Sequence, residues 1–516
     1  MAIKSIQLSL FTHKINALCE EMGAQLRHAA FSPNIRDRLD YSCAIFDSYG
    51  QMCAQAAHIP VHLGSMAYAM QGIVSSFDWQ PGDVVIFNDP YLGGTHLPDV
   101  TLVSPVFDSG LCVGFVANRA HHADIGSDEP GSMPLSSSLE QEGIVISPQY
   151  LGRNNQIDKD LYLKIFAGVQ QKETTYADVN SQLGANLHGA IRLQALAHEL
   201  GLNLYHELIK QVFDYAKTMA VSQLKRIPNG NYSAIDFMDD DGLGHTDIAV
   251  KVDVTINDGD IQVDFAGTSK QVQGNINCPK AVTAAAVFYV FRCLMSDDVP
   301  ACQGTFDSIV ITTSSGSLVD ANFPAAVAAG NVETSSRIVD VLFAALAQAC
   351  PNEIPAASQG TMNNIAMGMH GENAWSYYET IGGGAGATAC SHGADAIQTH
   401  MTNTQNTPIE VLEMNYPVRV RRYEIRHGSG GRGMKHGGCG MIREFEFLKR
   451  ARVTVLSERR MHAPYGLNGG EPGKPGQNFL NDELIGSKVS LTVEGGDRVR
   501  VETPGGGGFG LAESVN

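Results

Sequence analysis

The chain has 516 residues, of which 43% are hydrophobic and 17% charged, and its formal net charge is −18. The length allows two to four domains with large cores. The negative charge argues against binding to nucleic acid or to an anionic membrane surface, because both attract basic patches. The modest charged fraction fits a surface buried against other subunits, and equally the small surface-to-volume ratio of a large protein.

The ten cysteines are scattered and no two have C-x-x-C spacing, which argues against a zinc ribbon or a thioredoxin-like motif. Several lie in apolar runs and are expected to be reduced and mostly buried. The N-terminus lacks a continuous apolar signal segment, and no apolar run approaches the roughly 20 residues that span a bilayer. We therefore expect a cytoplasmic protein.

Hydrophobic periodicity predicts the secondary structure of the first half of the chain. Apolar residues recur every three to four positions over residues 7–29, as in an amphipathic helix. Further helices are predicted at 64–76 and over 180–225, with a break near Gly201. Strands are predicted at 42–46, 52–55, 83–87, 100–107 and 111–118.

The second half changes to strands after residue 228, with predicted strands at 248–254 and 261–265 and helices at about 280–296 and 336–349. The last hundred residues are rich in strands and glycine turns. The overall prediction is a mixed α/β, multi-domain fold. It comprises an N-terminal metal-site α/β domain (1–225), a central α/β domain (226–415) and a β-rich, glycine-containing C-terminal domain (416–516).

A group of metal-ligand residue types lies in the N-terminal segment. His96 and Asp99 are three residues apart, and His121 or His122 follows at the end of a later predicted strand. Two imidazoles and a carboxylate, with a position left for water, suit catalytic zinc, manganese or iron. Such a metal activates water or polarises a carbonyl, which favours hydrolysis or acyl transfer. Asp40 is a further candidate, either as a ligand or as a turn residue.

Two neighbouring motifs allow more than one interpretation. His58 and His62 are four residues apart, but Pro60 between them disfavours a regular helix, so they are predicted to line a pocket or to lie in the core. Asp89 ends a buried strand and either orients a metal-bound histidine or caps a turn.

Three glycine-rich segments lie at 382–386, 428–440 and 503–510, and none has the G-K-[ST] ending of a nucleotide-binding P-loop. Tight turns are predicted for 428–440, whereas a pocket lining or a subunit seam stays open for the other two. The polar stretch 331–337 predicts a helix start. The polar stretch 400–410, which is almost uncharged, predicts either a site for a neutral polar ligand or a structured loop.

Seven segments together resemble one family. They are RLDYSCA (38–44), HIPVHLGSM (58–66), NDPYLGGTHLPD (88–99), NRAHHADIG (118–126), NVETS (331–335), HMTNT (400–404) and TPGGGG (503–508). They span nearly the whole chain in one order. The chain thus resembles the hydantoinase B/oxoprolinase family, which includes B subunits of the N-methylhydantoinase, 5-oxoprolinase and caprolactamase types and is related to subunits of acetone and acetophenone carboxylases.

The resemblance implies specific site residues. His96, Asp99 and His121 are the implied metal ligands, with Asp40 as a fourth group. The implied cofactor is a divalent metal, with zinc as the first expectation and manganese or iron as alternatives. His122 or Asp124 is predicted to act as a base or to orient the reacting groups.

The resemblance also implies a partner. An actin-like ATPase A subunit is expected to bind ATP and magnesium and to phosphorylate the carbonyl oxygen of a cyclic amide, which this chain then opens within a hetero-oligomer. The substrate stays open among hydantoins, 5-oxoproline and larger lactams. The alternatives are a subunit of an ATP-dependent ketone carboxylase and a non-catalytic structural subunit.

Overall fold

The computed structural model describes residues 5–371 and 374–512. In these ranges the α-helices are α1 (Ser5–Ala29), α2 (Pro33–Arg36), α3 (Pro60–Ser75), α4 (Leu139–Glu142), α5 (Lys159–Ile165), α6 (Lys172–Leu200), α7 (Leu202–Leu224), α8 (Lys280–Cys293), α9 (Ser335–Leu346) and α10 (Ile409–Asn415). The predicted break near Gly201 is confirmed, since α6 and α7 meet at that residue. None of these helices combines the length and apolarity needed to cross a bilayer.

The first sheet carries the predicted metal-ligand residues. Its strands are β1 (Tyr41–Phe46), β2 (Met52–Ala57), β3 (Val84–Phe87), β4 (Asp99–Asp108), β5 (Leu111–His121), β6 (Gln149–Arg153) and β7 (Gln156–Ile157). They lie in the order β2-β1-β5-β4-β3-β6-β7, and every pairing is antiparallel. The strands predicted at 100–107 and 111–118 are therefore confirmed as one long hairpin.

Both faces of this sheet are covered. Because successive side chains on a strand point to opposite faces, Cys43 and Ile45 pack with α1, α6 and α7, whereas Ala44 and Phe46 pack with α3 and α8. Burial on both faces explains why apolar residues predominate in β4, whose sequence is DVTLVSPVFD. Polar side chains at the end of such a strand are consequently held in a dry environment.

The second sheet contains β8 (Gly230–Asp240), β9 (Thr246–Asn257), β10 (Asp260–Asp264) and β11 (Ile309–Thr312). Its order is β11-β10-β9-β8, with β11 parallel to β10 and the other pairs antiparallel. Alternate residues of β9, from Ile248 to Ile256, are buried in the same apolar cluster as residues of α8 and α9. The strands predicted at 248–254 and 261–265 are confirmed.

The remaining strands are β12 (Asn364–Met369), β13 (Trp375–Glu379), β14 (Val418–Arg426), β15 (Gly440–Phe447), β16 (Ala451–Leu456), β17 (Gln477–Leu480), β18 (Glu483–Ile485), β19 (Lys488–Val493) and β20 (Arg498–Glu502). They form two sheets, β13-β12-β16-β19 and β14-β15-β20-β17-β18. The first of these pairs β12 with β16 across the predicted boundary at residue 415. One apolar cluster also runs from Ala44 to Leu456. The three predicted segments thus share a core, and their boundaries stay a prediction.

The three glycine-rich segments lie against one another. A Cβ on Gly506 would come within 2.0 Å of the carbonyl oxygen of Ala385, and one on Gly438 within 2.0 Å of that of Ala394. Hydrogen bonds link the backbones as well, since Gly506 N donates to Gly438 O and Gly438 N donates to Ala385 O. Glycine is required here because the close contact between backbones leaves no space for side chains. The tight turns predicted for 428–440 are therefore not the main reason for these glycines.

Candidate metal centre

The register of the β4–β5 hairpin brings the predicted metal ligands together. Asp99 at the start of β4 pairs with His121 at the end of β5. His96 precedes Asp99 in a turn closed by a hydrogen bond from Asp99 N to His96 O. Asn88 holds this turn, because its Nδ2 donates to Leu97 O at 2.7 Å. All three predicted ligands are buried.

The three side chains converge on a common point. Asp99 Oδ1 lies 3.2 Å from His96 Nε2 and 3.3 Å from His121 Nδ1, and one ligand atom from each residue lies within 4.8 Å of the others. His96 Nε2, Asp99 Oδ1 and His121 Nε2 are buried without hydrogen-bond partners among the described residues. Buried polar atoms rarely stay unpaired. This donor set therefore fits a divalent metal that binds imidazole and carboxylate.

The non-ligating atoms of these residues are held by further contacts. Asp99 Oδ2 accepts a hydrogen bond from Thr95 Oγ1 at 2.5 Å and lies 3.3 Å from His62 Nε2. His62 Nδ1 in turn lies 3.0 Å from Ser42 Oγ. With Oδ2 occupied in this way, Oδ1 is the oxygen left to face a metal.

His62 lies in the first turn of α3, which begins at Pro60. The expectation that Pro60 disfavours a helix here is corrected, because proline is well tolerated in the first helical turn, where its missing N–H has no intrahelical partner. His62 lines the cavity, as predicted. His58 lies outside the helix, packs on Tyr41 and does not line the cavity.

A buried carboxylate supports His96 from the opposite side. Glu142 Oε1 accepts hydrogen bonds from the backbone N–H groups of Val327 and Ala328 at 2.8 and 2.9 Å. The carbonyl oxygen of Ala328 lies 3.4 Å from His96 Nδ1. A proton on Nδ1 facing that carbonyl leaves the Nε2 lone pair free for a metal.

Burial and the neighbouring charges shift the pKa values of the ligands. Burial by itself lowers the pKa of His96, but the Asp99 carboxylate outweighs it, so that pKa is raised above its ordinary value. Burial opposes ionisation of Asp99, yet the positive charge of His96 holds its pKa well below the usual range. Burial lowers the pKa of His121. The pKa shifts of His96 and Asp99 both favour their charged forms, whereas the pKa shift of His121 favours its neutral form.

These residues surround a cavity of about 20 Å³. Its lining consists of Asp40, Ile59, Val61, His62, His96, Asp99, His121, Asn331, Val332, Met362, Tyr378, Thr380, Thr402 and Thr404. The ring of Tyr378 stacks on that of His121 with centroids 4.9 Å apart. Asp40 Oδ2 lies 3.9 Å from His121 Nδ1, outside the tight group of three. Asp40 is thus placed at the cavity, and its role as a fourth ligand stays a prediction.

The two residues predicted as catalytic lie elsewhere. His122 Nε2 is 2.9 Å from Gln182 Oε1 on α6, and its ring lies against Phe166. The Asp124 carboxylate accepts hydrogen bonds from the backbone of residues 126, 170 and 171, which fixes a loop. Neither residue lines the cavity. Their position gives no support to the predicted role as base, which stays a prediction.

Two polar stretches of the sequence meet at the cavity. Asn331 and Val332 come from the stretch 331–337, and Thr402 and Thr404 from the stretch 400–410. The helix start predicted for 331–337 is also present, although its first turn, Gly330–Thr334, is π-helical, and π-helical turns are frequent at functional sites. Two sequence signals marked this part of the wall: low charge with many hydrogen-bonding groups, and the family motifs at 331–335 and 400–404.

Other residues near the site resolve the remaining alternatives. Asp89 accepts a hydrogen bond from Tyr91 N at 3.0 Å, so it caps a turn. Tyr378 and Thr380 line the cavity and lie in or beside β13, whose sequence WSYYE gave no functional signal. All ten cysteines are free, and half of them are buried.

Comparison with known proteins gives one consistent relationship. Residues 4–512 match the family model described as hydantoinase B/oxoprolinase. The chain is 39% identical over 539 aligned positions to 5-oxoprolinase 1 of Arabidopsis thaliana, covering 98% of this chain and 42% of that protein. It is 30% identical to the B subunit of a putative D-/L-hydantoinase from a Pseudomonas species, covering 98% of this chain and 90% of that protein.

Solved structures share the fold. The ATP-dependent caprolactamase of Pseudomonas jessenii superposes with a TM-score of 0.93 at 27% identity, covering 99% of this chain and 92% of that chain. Nucleotide-free acetone carboxylase superposes with a TM-score of 0.89 at 17% identity, covering 98% of this chain and 76% of that chain, a likeness of fold. The chain spans about two fifths of the length of the oxoprolinases from Arabidopsis and Dictyostelium. The chain belongs to the hydantoinase B/oxoprolinase family.

Proposed function

We propose that this chain is the metal-dependent B component of an ATP-dependent cyclic amidase. The observation that carries the proposal is the buried group of His96, Asp99 and His121, which each offer a ligand atom within 4.8 Å of the others. Each of the three side chains also has a buried polar atom without a hydrogen-bond partner in the described part of the chain. The similarity to a 5-oxoprolinase, a putative D-/L-hydantoinase subunit and an ATP-dependent caprolactamase supports cyclic amides as the substrate class.

A divalent metal held by His96, Asp99 and His121 would supply Lewis acidity and activate water for attack on the amide carbon. The protein contributes the surroundings. Thr95 and His62 fix the Asp99 carboxylate, and the ring of Tyr378 fixes His121. The apolar wall of Ile59, Val61 and Met362 limits access of bulk water, which strengthens electrostatic interactions inside the site.

The size of the cavity bears on how substrate binds. About 20 Å³ is room for roughly one water molecule, so a cyclic amide requires the wall to move. We infer that the ring enters after activation by the partner, an actin-like ATPase A subunit that binds ATP and magnesium. Zinc, manganese and iron all suit the donor set.

The test uses this chain expressed together with its A-type partner. Metal content and ATP-dependent ring opening are measured on a panel of 5-oxoproline, hydantoin and a lactam. We expect about one equivalent of metal per chain and turnover of at least one cyclic amide. His121→Ala should lose both, while ATP use by the partner stays measurable. His188→Ala, at a partly exposed histidine on α6 that lies near Glu21, is the matched control.

Three other results would reject the proposal. Full ring opening by His121→Ala would remove the metal site from the reaction. Bicarbonate-dependent product from a ketone would assign the chain to the carboxylase branch. Bound metal without either activity would indicate a structural role.

A further inference from the structure

One polar atom in the cavity has no explanation in the metal site. Among the described side chains that line the cavity, four polar atoms are buried without a hydrogen-bond partner: His96 Nε2, Asp99 Oδ1, His121 Nε2 and Asn331 Oδ1. The first three belong to the three side chains that are predicted to bind a metal. The fourth is an amide oxygen on a residue that is 3% exposed.

The backbone around Asn331 is held firmly, which fixes the place from which its side chain projects. Gly330 N donates to the carbonyl oxygen of Asn275 at 3.0 Å. A Cβ on Gly330 would lie 1.8 Å from Asn277 O, which shows how closely the two backbones pack. Ser335 Oγ donates to the carbonyl oxygen of Asn331 at 2.6 Å. Asn331 Oδ1 is therefore a buried hydrogen-bond acceptor, and none of the described residues donates a hydrogen bond to it.

An unpaired acceptor in such a place costs stability. Natural proteins keep such a destabilising group at an active site where a ligand supplies the hydrogen-bond donor on binding. Two hydroxyl groups of the same cavity wall do not supply it, since Thr380 Oγ1 and Thr404 Oγ1 bond to each other. A bound molecule is the remaining source of the missing donor.

We propose that Asn331 Oδ1 accepts a hydrogen bond from the molecule that reacts in this cavity. This inference rests on the proposed function. In the opening of a cyclic amide two species carry the required donor: the attacking water through its O–H, and the substrate through its ring N–H. Either bond would orient the reacting atom towards His96, Asp99 and His121, which makes Asn331 a binding residue for the reaction.

The first test needs no activity. Asn331→Leu keeps roughly the size of the side chain and removes the acceptor, whereas Asn331→Asp keeps an acceptor at the same position. If Asn331 serves a ligand, the thermal midpoint of the Asn331→Leu protein is equal to or above that of the wild type. A clear fall would mean that the side chain holds the fold, and it would overturn the proposal.

The second test measures turnover by the complex with its A-type partner, on a cyclic amide and on its N-methyl derivative. Asn331→Leu should slow opening of the N–H substrate by about 100-fold, because small errors in orientation have effects of that size, and Asn331→Asp should restore part of the rate. Equal slowing on both substrates identifies water as the donor. Slowing on the N–H substrate alone identifies the ring nitrogen.

Unchanged rates on both substrates would overturn the proposal. Asn415→Leu, at an exposed position at the end of α10, is the control for the chemical change itself. A wild-type complex that opens no cyclic amide would reject the proposed function, and the stability test would still decide whether Asn331 holds the fold.

Discussion

Two buried charged clusters in this molecule differ in how their charged side chains are paired. In the metal centre, His96, Asp99 and His121 each leave one buried donor atom without a hydrogen-bond partner among the described residues. In the second cluster, around Arg459, each charged side chain bonds to an opposite charge. The atoms there without a partner in the described ranges, Arg337 Nε, Asp340 Oδ1 and Arg459 Nε, belong to side chains whose other atoms make these ion pairs. The comparison shows that buried charged side chains can either form a binding site or hold parts of the fold together.

The second cluster joins β8 and α9 to the C-terminal region. Arg459 bonds to Asp340 and lies 2.7 Å from Asp236 Oδ2. Lys488 Nζ lies 2.5 Å from Glu458 Oε1, and Arg337 lies 3.3 Å from the same carboxylate. A buried ion pair is weak evidence of net stability, but removal of one partner leaves an uncompensated charge. We therefore interpret this cluster as a device that fixes how the sheets meet.

The largest expected effect comes from a substitution in the proposed metal centre. His121→Ala should lower ring opening by more than about 1,000-fold, since it removes a donor on which the electrostatic stabilisation depends. Its free energy of unfolding should change little in the metal-free state. Steady-state turnover and elemental analysis check the two statements. A variant that unfolds would place His121 among structural residues instead.

Loss of a charge from the second cluster should instead lower the free energy of unfolding. Arg459→Met is expected to lower the free energy of unfolding by about 3–5 kcal/mol, because Asp236 and Asp340 are left buried and unpaired. Lys210→Ala, which removes an exposed ion pair with Asp214, should cost only about 0.3–0.5 kcal/mol. Denaturant titration of both proteins measures the difference, and equal losses would contradict the interpretation.

The contacts behind the metal ligands offer a finer test. His62→Leu removes the contact to Asp99 Oδ2 and should weaken metal binding by about 10- to 100-fold. His62→Gln keeps a donor and should recover part of the affinity. Competition with a chelator measures both variants. Affinity unchanged in His62→Leu would mean that Thr95 alone positions the carboxylate.

The last prediction concerns pH and the buried carboxyl group of Glu333. Burial raises the pKa of Glu333 from 4.5 to about 8. The folded state therefore keeps a proton that the unfolded chain releases between these values, so stability falls as pH rises through this window. Glu333→Gln should flatten the fall by an amount on the order of a few kcal/mol. Thermal midpoints at about pH 5 and about pH 8, the two ends of this window, measure it, and an unchanged slope would count against this ionisation.

Much of the site was accessible from the sequence. The residue types and spacing of His96, Asp99 and the following histidines predicted a metal centre, and the family motifs singled out His121. The strands that carry these residues were predicted from their apolar runs, since a strand buried on both faces needs such a run. The family assignment also came from motifs, which record which residues a site needs irrespective of how the chain brings them together.

Contacts distant in sequence could not be predicted. His121 and His122 are adjacent, and the period of two in a strand dictates that they face opposite ways. Only the packing decides which one faces the cavity: residues 118 and 122 point to α6, and residues 119 and 121 to the other face. His122 was predicted as a base because the sequence does not show which of the two faces it occupies.

The sequence by itself determined the local elements, the apolar strands and the residue types of a metal centre, because these follow from periodicity and from ligand chemistry. The tertiary structure decided the register that pairs Asp99 with His121, the meeting of Asn331 with Thr402 at one cavity, and the contact of three glycine segments. These features depend on the packing of segments distant in the chain, for which the local sequence carries no signal.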